Sequence, residues 1–343
     1  MLFMGIDYAE GAAPEILDAL SRTNMEQSVG YGMDEHCENA RKLIREAIEC
    51  ESADVHFTVG GTQTNTTVIA SMLRPFEAVI SPETGHICLH ETGAIEGTGH
   101  KVIHMPSKDG KLRPEQIDEA VAFHEDEHFV KPKMVYISQP TEQGTLYSKA
   151  ELSAIKERCE RQGLYLYIDG ARLAVGLTTK GCDLKLSDMP KLCDVFYIGG
   201  TKNGFLFGEA IVIVNDSLKP DFRFMIKHCG AMLAKGRLLG VQFEEAFKNK
   251  GKLWFKYGQH ASDMAEKLRE GIKALGYEFA PPAPTNQIFV KLSNAQIEEL
   301  GKECVYEPWL VLDENHRSIR FCTSWATPEA DIDALLAILE RIK

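Results

Sequence analysis

Apolar residues recur along this chain in two alternating rhythms. Short apolar runs at 55–59, 78–80, 102–105, 134–138, 164–168, 194–198 and 210–214 predict buried strands. Between them the spacing changes. Ala40, Leu43, Ile44, Ala47 and Ile48 recur at helical intervals, marking one buried face of a helix that Asp34 caps and that runs to Glu49. Val68, Ile69, Met72 and Leu73 mark another, stopped by Pro75. Helices are also predicted at 114–123 and 149–162, the second with Ser148 and Glu151 spaced as a capping box. Pro14 opens a short helix, where its missing N–H does no harm. Strands separated by helices imply βαβ crossovers and a largely parallel sheet.

From about residue 231 the pattern turns to long helices that end near Gly276, and a Pro-rich segment at 280–285 follows. Beyond it a strand at 287–292, a helix at 295–302, further strands and a last helix opened by Thr327-Pro328 form a smaller α+β unit. The expected organisation is a large domain of residues 1–248 and a small C-terminal domain of 249–343. The length agrees, since 343 residues exceed the roughly 250–300 at which single cores stop growing.

Composition removes several classes of function. A hydrophobic content of 44% with 26% charged residues is that of a globular enzyme and not of a disordered chain. A net charge of −12 with scattered Lys and Arg argues against nucleic acid or anionic membrane as partner. No apolar run approaches the ~18–20 residues that span a bilayer, and Asp7 and Glu10 interrupt the N-terminal region early. The nine cysteines stand singly, with no Cys-x-x-Cys pair. That fits reduced thiols, not a disulfide framework or a zinc site, so a soluble cytoplasmic protein without a metal is expected.

The chemistry concentrates at two strand ends. One reads Tyr167-Ile168-Asp169-Gly170-Ala171-Arg172, the other Tyr197-Ile198-Gly199-Gly200-Thr201-Lys202. Each polar residue leaves the carboxyl end of a buried strand, where open α/β sheets bind ligands. An acid and a lysine so placed match pyridoxal phosphate: the lysine forms the Schiff base and the carboxylate keeps a proton on the pyridine nitrogen. Gly60-Gly61-Thr62 lies between a strand and a helix, where free N–H groups bind a phosphate, although a plain turn would read the same way. His86, just past the strand at 78–80, is placed to stack on a pyridine face and relay protons, or to be one loop histidine among eleven. His90 is a weaker candidate. Arg320, on a strand of the small unit, offers a fork for a substrate carboxylate or a surface ion pair.

Taken in order, these residues resemble the low-specificity L-threonine aldolases, in the β-eliminating-lyase branch of fold-type-I pyridoxal phosphate enzymes. The resemblance covers nearly the whole chain and includes Gly30-Tyr31-Gly32-Met33-Asp34, Gly85-His86, Ile168 to Arg172, Lys202 and Ile319-Arg320. It implies a three-layer α/β fold like that of aspartate aminotransferase, with a mostly parallel sheet. It further implies that Lys202 holds the cofactor, Asp169 pairs with its ring nitrogen, His86 stacks on the ring, and Gly61 and Thr62 donate to the phosphate. Arg320, helped by Arg172, would hold the substrate carboxylate, and His86 would handle the substrate hydroxyl proton. Lys227 resembles a basic residue that reaches a neighbouring subunit's phosphate, and Tyr31 one near the dimer seam and the substrate. The implied assembly is a homotetramer of dimers that share active sites. The implied reaction is retro-aldol cleavage of a β-hydroxy amino acid to glycine and an aldehyde. Elimination, transamination and a non-catalytic scaffold are the alternatives.

The chain also departs from that pattern. Gln139-Pro140-Thr141-Glu142-Gln143-Gly144 stands where many relatives have Asn-Thr-His-Asn, so a histidine is missing. Gly5-Ile6-Asp7-Tyr8 replaces Arg-Ser-Asp-Thr and loses a serine. An arginine after the Gly-Gly-Met-like segment is absent too, with Lys235 or Arg237 as substitutes.

Overall fold

The computed structural model describes residues 1–343. Its strands are β1 (Leu2–Phe3), β2 (Asp54–Thr58), β3 (Glu77–Pro82), β4 (Val102–Met105), β5 (Lys131–Ser138) and β6 (Tyr165–Asp169). They continue with β7 (Val195–Gly199), β8 (Glu209–Ile213), β9 (Gln287–Ser293), β10 (Cys304–Val305), β11 (Glu307–Val311) and β12 (His316–Cys322). Seven of them form the main sheet, in the order β2-β8-β7-β6-β5-β3-β4. Neighbours from β7 to β4 run parallel, as helix-separated strands should. The exception is β8, antiparallel to both β2 and β7. The link from β7 to β8 is a tight return without a helix. A parallel crossover needs a dozen or more residues, so this strand had to reverse.

The helices follow the apolar spacing. Asp34 caps Glu35–Ile48 by accepting from the Cys37 N–H at 2.9 Å. Ser148 and Glu151 close a capping box on Lys149–Gln162, and Pro14 and Pro114 each stand at a helix start. Helices cover both faces of the main sheet. Alternation along β5, β6 and β7 sends Ile137, Ile168 and Ile198 into one core and Tyr136, Tyr167 and Tyr197 into the other. Three layers result.

A third core lies under the antiparallel sheet β11-β12-β9 and the last helix, Glu329–Arg341. The long helix Arg237–Ala274 ties this core to the main sheet. Trp254 and Tyr257 pack toward the main sheet, Ala265, Leu268 and Ile272 toward the small one. Its backbone leaves helical angles at Lys248–Gly251, beside the boundary read from the sequence. The N-terminus departs from that reading. β1 pairs with β10 and Met4 lies in the small core, so the first residues, assigned to the large domain, pack with the small one. Pairing between segments so distant along the chain leaves no local pattern to read.

Candidate active site

A cavity of about 480 Å³ opens at the carboxyl ends of β5, β6 and β7, between the main sheet and the small unit. It is the right size for a small cofactor with its substrate. Gly61, Thr62, His86, Asp169, Arg172, Lys202 and Arg320 all line it, and so does His90. The two strand-end motifs meet there because β6 and β7 are neighbours. A side chain at Gly170 would strike the Tyr197 carbonyl, and one at Gly199 the Ala171 carbonyl. Only glycine lets the two turns approach this closely.

Asp169 is 4% exposed and is held from four sides. Its Oδ1 accepts from the Tyr197 hydroxyl at 2.6 Å and from the Ala171 N–H at 3.0 Å. Its Oδ2 accepts from the Tyr136 hydroxyl at 2.6 Å and from Asn65 Nδ2 at 3.3 Å. Burial, and then the charge of Asp169, push Tyr136 and Tyr197 well above the usual tyrosine range, so both stay O–H donors. Four donors hold the carboxylate and fix its plane.

Lys202 stands in the turn after β7, with Nζ 5.9 Å from the Tyr8 ring. Burial and the nearby Arg172 guanidinium hold it below the usual lysine range, against the pull of Asp7, Asp169 and Glu209. A lysine biased toward its free amine is a nucleophile. Glu209, on β8, accepts from the Gly200 N–H at 3.0 Å, and burial raises its carboxyl to about 7. Arg172 is clamped by Asp7 through Nε at 2.6 Å and Nη2 at 3.0 Å. Burial would raise Asp7, but Arg172, Lys202 and Asn286 outweigh it and hold the carboxyl well below the usual range. Much of the Arg172 fork is therefore already engaged.

His86 opens the short helix His86–Leu89, where the sequence had suggested a loop. Its Nδ1 lies 2.8 Å from Oε1 of Glu91, whose side chain is wholly buried. The same Glu91 oxygen accepts from Asn65 Nδ2 at 2.7 Å, while the Tyr167 hydroxyl donates to Asn65 Oδ1 at 2.7 Å. One amide group thus ties the carboxylate behind His86 to Asp169. The His86 backbone N–H donates to Glu142 Oε1 at 3.0 Å.

At the other end of the cavity, Gly60 is extended and leads into the helix Gly61–Met72. The first helical bond here is from the Thr64 N–H to the Gly60 carbonyl, which leaves the amides of Gly61, Thr62 and Gln63 for an anion. Gly61 also passes close to Tyr197, since a Cβ there would lie 3.2 Å from the hydroxyl. From the small unit, Arg320 bonds Gln287 Oε1 and the Gly5 carbonyl, each at 3.2 Å. Its guanidinium lies 5.5 Å from the Trp309 ring, and its Nε is buried without a partner. A buried donor left unpaired is costly unless a ligand meets it.

Two candidates fall elsewhere. Lys227 and Tyr31 do not line this cavity; Lys227 Nζ sits 5.0 Å from the Tyr31 ring, and Tyr31 is 49% exposed. Conversely, Asn65, Glu91, Glu142, Glu209 and Tyr8 took no part in the sequence-derived site. One signal for the tyrosines was in plain sight: Tyr-Ile closes β5, β6 and β7 alike, ahead of Ser138, Asp169 and Gly199.

The donor set suits pyridoxal phosphate. Helix-start amides at Gly61 and Thr62 would meet the phosphate, Asp169 the ring nitrogen and Lys202 the carbonyl carbon, while the orphaned Arg320 Nε would meet an amino-acid carboxylate.

Comparison with known proteins agrees. The beta-eliminating lyase family model matches residues 7–295. A low-specificity L-threonine aldolase of Pseudomonas sp. is 31% identical over 340 residues, covering 98% of this chain and 96% of that protein. The solved structure of a Leishmania major threonine aldolase superposes with a TM-score of 0.97 at 48% identity, over 99% of both chains. A Thermus thermophilus aspartate aminotransferase shares the architecture alone, with a TM-score of 0.73 at 15% identity over 100% of this chain and 92% of that one. The chain has the three-layer pyridoxal phosphate fold type I and belongs to the beta-eliminating lyase family, in its low-specificity L-threonine aldolase branch.

Proposed function

We propose that this protein is a pyridoxal phosphate-dependent aldehyde-lyase that cleaves L-threonine, L-allo-threonine or related β-hydroxy amino acids to glycine and an aldehyde. The observation that carries the reading is the convergence of Asp169, Lys202 and Arg320 on one cavity beside an open helix start. The cofactor, when bound, supplies an electron sink for the pair released at the substrate Cα.

The chain's own residues do the rest. Lys202 anchors the cofactor and, as a free amine, releases product. Asp169, fixed by two tyrosines and Asn65, places negative charge where positive charge must persist, which lowers the barrier when it acts more strongly in the transition state. Gly61 and Thr62 hold the phosphate, and His86 walls the ring. Arg320 grips the carboxylate and so decides which Cα bond lies in line for cleavage, while Arg172 helps from its Asp7 clamp. Tyr31 and Lys227 serve a neighbouring subunit's site in a homo-oligomer, a dimer of dimers. Exposed Met25 (87%), Met33 (60%) and Phe224 (76%) on the same part of the chain support a covered face there. No helix is long and apolar enough to cross a membrane. The nine unpaired cysteines suit the reducing cytoplasm.

The test is product analysis on a panel of β-hydroxy amino acids, beside L-tryptophan, L-tyrosine and a keto-acid acceptor. Glycine with the matching aldehyde is expected. Ammonia with a keto acid, or amino transfer to the acceptor, as the main activity would refute the proposal.

A further inference from the structure

We propose that Glu142 is the catalytic base that takes the substrate's β-hydroxyl proton, and the acid that returns it when the carbon–carbon bond is made. The proposal rests on the lyase reading above. In the cleavage direction the hydroxyl proton moves to the carboxylate, and the O–H pair becomes the second bond of the aldehyde carbonyl. The Cα–Cβ bond breaks, its pair stays on Cα, Cα takes a proton from solvent to become glycine, and Glu142 returns its own proton to solvent.

Glu142 follows β5 and lines the cavity with Asp169, His86 and Lys202. It is 9% exposed. Its Oε1 accepts from the Ser138 hydroxyl at 2.5 Å and from the His86 N–H at 3.0 Å. Its Oε2 makes no hydrogen bond within the chain. One oxygen is anchored by two separate elements, and the other is offered to whatever enters.

The neighbouring carboxyls are not equivalent. Both oxygens of Asp169 are occupied, Glu91 lies behind His86 outside the cavity, and Glu209, which also lines it, is tied to the turn that carries Lys202 through the Gly200 N–H. The groups that face Glu142 are Asp169 from the end of β6 and the His86 imidazole, with Tyr136, Arg172 and Cys88 in its field. Burial first, with Asp169 adding to it, outweighs the Ser138 bond and His86, so the carboxyl is raised from the usual range. A carboxyl raised from its usual range is a stronger proton acceptor than an ordinary one. The sequence pointed to His86 for this proton. In the structure Glu91 holds its Nδ1 and its backbone orients Glu142, so the imidazole Nε2 is the competing base that the test below separates from Glu142.

Glu142→Gln in the cofactor-loaded enzyme is the test, because the amide oxygen still accepts from Ser138 and His86 while the ionisable proton is gone. Cleavage of β-hydroxy amino acids should fall by ~10² or more, while Cα–H exchange of glycine in deuterated water, which involves no hydroxyl, stays within about threefold. Wild-type cleavage should decline as pH falls through the raised carboxyl. That limb should vanish in Glu142→Gln and return in Glu142→Asp. Independently of turnover, infrared titration should lose one buried-carboxyl band in Glu142→Gln. Equal loss of cleavage and exchange would overturn the assignment in favour of a structural role. Selective loss in His86→Gln, with Glu142→Gln unimpaired, would give the proton to the imidazole. A wild type that exchanges glycine Cα–H yet makes no aldehyde from any β-hydroxy amino acid would sink the lyase reading and this assignment with it.

Discussion

Replacing Asp169 separates what this carboxylate does for the fold from what it does for chemistry. In Asp169→Asn one oxygen remains to accept from the Ala171 N–H and the Tyr197 hydroxyl, while an NH2 group now faces Tyr136 and Asn65. The Tyr136 hydroxyl can turn and accept instead. The two tyrosine bonds drop from charge-assisted, ~1.5–3 kcal/mol, to neutral, ~1 kcal/mol, so the loss of stability should be about 1–4 kcal/mol. A chain of more than about 250 residues loses at most ~2–4 °C of Tm per kcal/mol, and a native state with ~5–15 kcal/mol in reserve survives. Turnover is another matter. Removing one electrostatic partner of the transition state costs ~10²–10³. Asp169→Ala should be worse for the fold, since the two tyrosine hydroxyls and the Asn65 amide lose their acceptor at ~1–3 kcal/mol each. The assay pairs thermal melts with aldehyde release from L-threonine and the absorbance of the bound cofactor. An Asp169→Asn enzyme within about tenfold of wild-type turnover would refute the electron-sink reasoning. Equal Tm losses for Asn and Ala would refute the hydrogen-bond reasoning.

Three further outcomes are expected. Borohydride treatment of the holoenzyme should fix the chromophore to the peptide containing Lys202; a label on any other lysine removes that residue from its role. Arg320→Lys should raise KM and also increase Cα–H exchange relative to cleavage, because a point charge replaces a planar fork; equal change in both reactions would leave Arg320 with binding alone. Asp7→Asn should cost ~3–5 kcal/mol at pH 7, since it strands the buried Arg172. The depressed Asp7 carboxyl contributes its stability fully above the unfolded value of 3.8 and loses it as pH falls toward the lower folded value. The gap between wild type and Asp7→Asn in urea unfolding should therefore narrow below pH ~4, and a constant gap would contradict the assignment.

Legibility in the sequence followed the range of the interaction. The capped helix Glu35–Ile48, the boxed helix Lys149–Gln162 and the buried strands β5 to β7 were readable because their signals lie within a turn or two of chain. Asp169 and Lys202 were readable for a related reason, each closing its own strand. The reversal of β8 hung on loop length, and the β1–β10 pair on the meeting of the N-terminus with a strand of the small unit. Neither leaves a period in the sequence.

By itself, then, the sequence determined the layered α/β architecture and singled out residues that the fold brings to one cavity: Asp169, Lys202, the helix-start glycines and Arg320. Tertiary structure alone decided which groups those residues act beside. The Asn65 bridge joins residues 26 and 104 positions away, and the Glu142 anchor to the His86 amide spans 56 positions. Whether a carboxyl is a surface charge or a buried proton carrier depends on the water it has lost and the dipoles that replace it. Local spacing encodes neither, because both are set by segments that meet only when the chain has folded.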